Sequence, residues 1–322
     1  MTGEPHPSTA GRSSPPGADE PPAHREPRAG FVALIGRPNA GKSTLLNALI
    51  GVRLAAVTHK AQTTRHRIPG FLTDDETATQ IVFVDTPGLL DPAYPLQEAM
   101  MRTARSAIEG VDVVAFLVDH DQPSPAERTL LVELAAADPE VLLVLTKIDQ
   151  VPEAKLAARE ATWREVVEWD GIHRLSAVTG DGLDALLTAV RERLPRQPYF
   201  YPEDDLTDLN LRFIAAELVR EACYEELGKE VPYSVHVNVD EWTEPREPGE
   251  KTAIRATIYV ERESQKGIVI GEGGRKLKAI GTRARRSIEA LLESAVYLSL
   301  WVKVRKKWSR READLRHFGY KR

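Results

Sequence analysis

Phe31-Val32-Ala33-Leu34-Ile35 runs directly into Gly36-Arg37-Pro38-Asn39-Ala40-Gly41-Lys42-Ser43, and Leu45, Leu46, Leu49 and Ile50 follow. The five apolar residues suit a buried strand and are too few for a helix. After the loop, the apolar positions gather on one side of a 3.6-residue repeat, which predicts a helix from Gly41 to Ile50. The eight residues between match Gly-x-x-x-x-Gly-Lys-[Ser/Thr], a strand-to-helix loop whose backbone N–H groups turn toward phosphates. The helix N-terminus adds a favourable dipole. Lys42 is expected to reach the β- and γ-phosphates, and Ser43 to offer its hydroxyl to Mg2+.

Two further motifs complete a nucleotide site. Asp85-Thr86-Pro87-Gly88 ends a strand pattern. Behind a phosphate loop, Asp85 is expected to hold Mg2+ through a water, and the Gly88 N–H to sense the γ-phosphate. Thr146-Lys147-Ile148-Asp149 follows the apolar run Val141–Leu145. A carboxylate at Asp149 accepts from both N1–H and the 2-amino group of guanine. Adenine offers an acceptor and no amino group there, so the carboxylate would be left unpaired; the motif selects GTP and GDP over ATP. Ser176-Ala177 fits a loop whose backbone N–H meets guanine O6. Leu89 stands where Ras-like proteins carry a water-orienting glutamine, which predicts slow intrinsic hydrolysis.

The surrounding pattern is α/β. Arg67–Thr73 and Gln80–Val84 flank Asp74-Asp75-Glu76 as a hairpin, and strand-like runs recur at Val111–Val118, Val141–Leu145 and Ile172–Leu175. Helical stretches at Ala126–Ala137 and Glu153–Trp169 lie between them, so a mostly parallel sheet with helices on both faces is expected. Residues 1–28 are rich in Pro, Gly, Ser and charge and have no apolar h-region, which predicts a disordered tail and no secretory signal. The nucleotide domain is bounded at 29–196, and the Pro-rich, acidic stretch 197–208 is read as a linker. The single cysteine, Cys223, excludes an internal disulfide framework, fits a reducing compartment and is expected in a core. The longest aliphatic runs are too short to span a bilayer.

Residues 209–305 form a second unit, followed by a basic tail helix over 306–322. Lys251 to Arg322 holds 19 Lys and Arg against 7 Asp and Glu, whereas positions 1–250 hold 24 against 41. That asymmetry directs the C-terminal part toward a polyanion. Within it, Gly271-Glu272-Gly273-Gly274 enters a helix beside Arg275, Lys276 and Lys278, a turn that lets a sugar-phosphate backbone come close. A helix and two strands precede the turn, and a helix and a strand follow, the order of a type II KH domain. Glu272 is unfavourable toward phosphate. Ile268, Val269, Ile270, Leu277 and Ile280 are expected in the core, as is Trp308.

Taken in order, Gly36–Ser43, Gln62-Thr63-Thr64-Arg65-His66, Asp85–Gly88, Thr146–Asp149 and Ser176-Ala177 resemble the GTPase domain of the bacterial Era family, and residues 209–304 resemble its KH domain. The resemblance implies a P-loop GTPase in which Lys42, Thr64, Gly88 and Asn39 serve catalysis. Gln62–His66 falls in switch I, with Thr64, or else Thr63, on Mg2+ beside Ser43 and Asp85. Asn39 matches a position that in some related GTPases helps bind K+, so K+ is expected beside the phosphates. Thr146 departs from the usual Asn, and a contact to the base or the phosphate loop, about 1 kcal/mol, is expected to be lost. The resemblance further implies binding to the 3′ region of small-subunit 16S ribosomal RNA and a part in 30S subunit assembly. It also implies a cytoplasmic monomer with peripheral contact to anionic inner-membrane lipid. Two rivals are a tRNA-modification GTPase and a nucleotide-gated membrane scaffold. The tail-like start and the Tyr320-Lys321-Arg322 end speak against the first, and competition between RNA and liposomes discriminates the second.

Overall fold

The apolar run at Phe31 sits inside strand β1 (Arg28–Gly36), and Val32 to Ile35 are wholly buried because the sheet is covered on both faces. In this computed structural model, residues 26–228, 231–247 and 249–320 are described. Residues 1–25 of the expected tail lie outside them. Arg28 already pairs with Thr79, so the strand begins within the stretch read as tail. β1 leads into α1 (Lys42–Ile50). Strands β2 (Ile68–Asp74), β3 (Thr79–Asp85), β4 (Val113–Val118), β5 (Glu140–Leu145) and β6 (Gly171–Arg174) follow, ordered β2-β3-β1-β4-β5-β6 in one sheet. Only β2 runs antiparallel, hairpin-paired to β3 from Ile68↔Asp85 to Asp74↔Thr79. Helices α2 (Pro95–Ser106), α3 (Pro125–Ala135), α4 (Glu153–Arg164) and α5 (Leu183–Arg193) make the connections. The helix expected to reach Trp169 stops at Arg164; Trp163 is buried, and its backbone carbonyl accepts from the Trp169 indole at 2.9 Å.

The second sheet is separate. Its order is β7 (His236–Thr243), β8 (Thr252–Val260), β9 (Val296–Val304), with β8 and β9 parallel. Helices α6 (Leu211–Glu226), α7 (Glu263–Ile270) and α8 (Arg275–Leu292) pack on it, with Val269 and Ile280 in its core. Ile268, expected inside, is 43 % exposed, because one turn of α7 cannot bury three consecutive residues. Cys223 is buried on α6.

Two connecting segments are anchored. Between the units, the Phe71 N–H donates to Leu206 O at 2.8 Å, Thr207 Oγ1 donates to Pro69 O at 2.6 Å, and the Tyr201 ring stacks on Phe71 at 3.8 Å. The segment thereby gives the outer sheet strand β2 the partners it would otherwise lack. At the C-terminus, α9 (Glu312–His317) is flanked by Trp308, Phe318 and Tyr320, which join Leu96, Ala99 and Met100 of α2 in one apolar cluster. The residues expected as a basic tail thus form a bridge from the second unit back to the first. Their charges Lys306, Lys307 and Arg310 remain exposed.

The segment after α1 makes the main contact between the units. Arg65 is 1 % exposed; its guanidinium donates to Val235 O at 2.7 Å, Tyr233 O at 2.9 Å and Tyr224 Oη at 2.8 Å. Lys60 donates to the carbonyls of Tyr224 and Leu227 at the end of α6, where a cation meets the negative end of the helix dipole. Glu221 of α6 accepts from the Val57 N–H at 2.9 Å and pairs with Arg53.

Arg65→Ala strands buried carbonyls of the second unit and is expected to cost about 2–3 kcal/mol. A lower urea midpoint in equilibrium unfolding checks it. Arg65→Lys should recover little, because an ammonium lacks the planar fork of donors.

Candidate functional site

The phosphate loop lies where β1 ends, at the carboxyl edge of the parallel strands, the usual place for a ligand in such a sheet. Gly88 closes its other side. A Cβ there would fall 2.4 Å from Pro38 N, so only glycine lets the two loops touch. Lys42 is buried, and its Nζ donates to Gly36 O at 3.0 Å and Arg37 O at 2.8 Å. Burial lowers its pKa to about 8, against the pull of Asp85 and Asp119. Asn39 is exposed, and its amide donates to His59 O at 2.9 Å, joining the phosphate loop to the segment after α1.

Three oxygens converge beside Lys42. Ser43 Oγ lies 2.5 Å from Asp85 Oδ2 and 2.7 Å from Thr64 Oγ1, and Thr64 Oγ1 lies 3.2 Å from the same carboxylate oxygen. Asp85 is wholly buried, and its Oδ1 has no hydrogen-bond partner. Burial pushes its pKa up to about 6, although Lys42, Ser43 and Thr64 oppose the shift. A hard, all-oxygen donor set around an orphaned buried carboxylate oxygen fits Mg2+. Thr63 faces elsewhere: its Oγ1 lies 2.6 Å from Thr58 Oγ1 and donates to Lys60 O at 2.7 Å.

The base end is built on the loops after β5 and β6. Thr146 Oγ1 donates to Ala40 O at 2.8 Å and sits 3.2 Å from Val118 O. A hydroxyl therefore makes the phosphate-loop contact that the missing Asn put in question. Lys147 adopts φ 57 and donates to Asp119 Oδ2 at 2.6 Å. Asp149 is exposed, and a hydrogen bond from Ser176 holds its carboxyl below the ordinary range. A cavity of about 420 Å³ runs between the two ends, lined by Pro38, Asn39, Gly41, Lys42, Ser43, Thr64, Gly88, Thr146, Lys147, Asp149, Ser176 and Ala177. Gly36, Arg37, Ala40, Asp85, Thr86, Pro87, Leu89 and Ile148 are not in its lining. Among them, Thr86 Oγ1 donates to Leu34 O at 2.8 Å, the Leu89 N–H donates to Gly36 O at 3.0 Å, and the Leu89 and Ile148 side chains pack on the apolar core. Sequence reasoning missed Glu225, which reaches this lining from α6 in the second unit. No local pattern marks such a residue.

In the second unit, Gly271, Glu272, Gly273 and Gly274 form the turn between α7 and α8, and Gly273 has φ 58. Arg275, Lys276 and Lys278 are exposed at the start of α8. Lys278 stands between two depressions. One, about 460 Å³, lies between α8 and β9, with Leu277, Gly281, Leu298 and Leu300 in its lining and Lys251, Arg285 and Tyr297 around them. The other, about 590 Å³, is lined by Arg275, Arg283 and Arg286 and by Glu226. Lys276 lines neither. Glu272 is turned outward and paired with Arg275, so its charge is partly offset at the turn. Lys251 and Tyr297 went unnoticed in the sequence, since strand pairing alone brings them beside α8. Among the described residues, no helix is long and apolar enough to cross a membrane.

Residues 31–147 match the family described as 50S ribosome-binding GTPase, and residues 230–309 match the KH domain. The chain is 46 % identical over 294 residues to the GTPase Era of Geobacter metallireducens, spanning 91 % of this chain and 98 % of the relative. It belongs to the Era family of GTPases. A crystal structure of Era with MgGDPNP and nucleotides 1506–1542 of 16S ribosomal RNA superposes with a TM-score of 0.87 at 36 % identity, covering 91 % of this chain and 99 % of that one. A single-substitution variant of Aquifex aeolicus Era bound to GDP·AlF4− gives 0.86 at 37 % identity, with the same coverage. The α/β GTPase fold and the separate KH sheet agree with the expectations from the motifs.

Asp149→Asn replaces a double acceptor with a group that donates to one side. GTP affinity should fall by about a hundredfold or more, and xanthosine triphosphate should become the preferred ligand. Competition binding with the two triphosphates reads both changes.

Proposed function

We propose that this protein is a slow, GTP-switched RNA-binding GTPase that holds the 3′ region of 16S ribosomal RNA and acts in assembly of the 30S subunit. One observation carries the reading: a groove with an aliphatic lining and a cationic rim adjoins the glycine turn of a KH domain, in a chain alike over nearly its whole length to an Era crystallised with that RNA segment. Aliphatic and aromatic surface suits unstacked bases, and the exposed cations suit phosphate.

In the nucleotide cavity, Ser43, Thr64 and Asp85 would hold Mg2+, which neutralises charge on the β- and γ-phosphates. Lys42 leaves its carbonyl partners to meet the same oxygens, and the Gly88 N–H meets the γ-phosphate. Asp149 and the Ser176-Ala177 backbone take the guanine. Leu89 cannot orient water, so hydrolysis depends on charge stabilisation; K+ held with Asn39 would supply part of it. Residues 29–196 serve as the GTPase unit and 209–305 as the RNA unit. The protein acts as a cytoplasmic monomer, and its basic residues also support peripheral contact with anionic lipid. Arg65 and Lys60, one residue and four residues from Thr64, make the nucleotide state felt in the KH unit.

Gly273→Asp suits the left-handed backbone yet sets a negative charge where phosphate approaches. RNA affinity should drop about tenfold in filter binding, with GTP affinity intact. For the cation, exchanging K+ for Na+ at fixed ionic strength should slow GTP hydrolysis several-fold; equal rates would remove the monovalent ion from the mechanism.

A further inference from the structure

Glu127 lies on α3, outside the nucleotide cavity, yet it is 1 % exposed. A helix capping box accounts for part of its surroundings: Oε2 accepts from the Ser124 N–H and hydroxyl, both at 2.8 Å. A capping box does not call for the remaining partners. Arg37 of the phosphate loop donates to the same oxygen at 2.6 Å, and His120 Nε2 lies 3.3 Å away. The other ring nitrogen of His120 is buried without a hydrogen-bond partner and lies 3.5 Å from Asp119 Oδ1, within ion-pair reach once the ring is charged. Asp119 Oδ2 in turn accepts from Lys147 of the base loop at 2.6 Å. An unbroken line of charged contacts therefore runs from the residue after Gly36 to the residue after Thr146.

We infer that Glu127, His120 and Asp119 are positioning residues that couple the phosphate loop to the base loop, so that guanine discrimination depends on side chains touching neither base nor phosphate. The inference rests on reading the cavity as a guanine-nucleotide site. An imidazolium donates to both carboxylates at once; a neutral imidazole donates to one and leaves the line broken. Burial alone would lower the His120 pKa, but its bonds to Asp119 and Glu127 raise it above the ordinary value, against the opposing charge of Arg37. Desolvation pushes up the half-buried Asp119 carboxyl and the buried Glu127 carboxyl, yet contacts with His120, foremost among their partners, hold each at about 2. From α4, the Trp163 ring meets the imidazole edge-on at 5.2 Å and its indole donates to His120 O at 3.0 Å, while Arg159 and Lys155 are engaged by Asp121. The protonated line is complete below the raised His120 value and is lost as pH climbs through it.

The test compares dissociation constants for GTP and inosine triphosphate, which lacks the 2-amino group read by Asp149. Glu127→Gln and His120→Asn should each shrink the GTP-over-inosine preference by about threefold or more. In the unmodified protein the preference should fall as pH rises through the raised His120 value, and His120→Asn should flatten that profile. The ratio cancels the titration of Lys42, which meets the phosphates of both ligands. Should both variants weaken the two ligands equally, with a pH-independent ratio in the unmodified protein, the loops are uncoupled and the inference falls. If the unmodified protein binds neither ligand, the nucleotide reading fails first, and the two failures are distinct. The pH arm needs no substitution, so it decides the question even where a variant folds poorly.

Discussion

Two consecutive side chains govern the arrangement of this molecule. Thr64 turns its hydroxyl into the corner formed by Ser43 and Asp85, and Arg65 turns its guanidinium the other way, into the loop before β7. The backbone between them is two bonds of rotation, so neither side chain can move far without dragging the other. A ligand that tightens or loosens Thr64 would therefore also shift Arg65, and such differential contact with two arrangements is the physical requirement for a switch. Lys60 and Gln62 add to the same seam; the Tyr224 hydroxyl donates to Gln62 O at 3.2 Å.

The seam carries buried polar contacts beside an apolar core that runs through both units. Glu217 and Arg220 form a buried ion pair, with Arg65 and His66 close by. His66 is stacked on Tyr320 at 4.5 Å and edge-on to Phe213 at 5.2 Å, and burial lowers its pKa to about 4, so it stays neutral among the arginines. Glu217 and Arg220 both belong to α6, so that pair moves as one body; the charge that a displaced arrangement would leave unpaired is that of Arg65, whose guanidinium donates across the seam to Val235 O and Tyr233 O. Such a boundary favours a small number of well-defined registers over a continuum. The C-terminal bridge of Trp308, Phe318 and Tyr320 sets how far the two units can part while remaining joined.

Features with a local cause were legible in the sequence. The phosphate loop, the Asp85 and Asp149 motifs and the glycine turn each occupy a few consecutive residues whose backbone demands are specific, and the strand and helix rhythm follows from short-range periodicity. Features with a distant cause were not legible. Residues 306–322 carry enough charge to read as a basic tail, and although Trp308 was expected in the core, Phe318 and Tyr320 find burial between α2 and His236, which nothing local marks. Residues 197–208 look like a linker by composition, yet they complete the hydrogen bonding of an edge strand. Contacts between the units also gather on Arg53 to His66, where the segment after α1 meets α6 and the loop before β7.

The nucleotide cavity is consequently braced from two sides by different physics. On the inner side, hydrogen bonds from Arg65 and Lys60 to backbone carbonyls bind switch I to the KH unit, and Glu225 brings that unit to the cavity wall. On the outer side, the line from Arg37 through Glu127, His120 and Asp119 to Lys147 stays within the GTPase unit. A shift of one unit against the other would break the inner brace and leave the outer one intact. Base selection rests on the outer brace, so the site can alter its grip on RNA without relaxing its choice of guanine. The separation has a structural root in the sheet: β1, β4 and β5 are central and parallel, and they fix the phosphate and base loops to one rigid edge, while the segment that carries Thr64 and Arg65 joins α1 to the outermost strand β2.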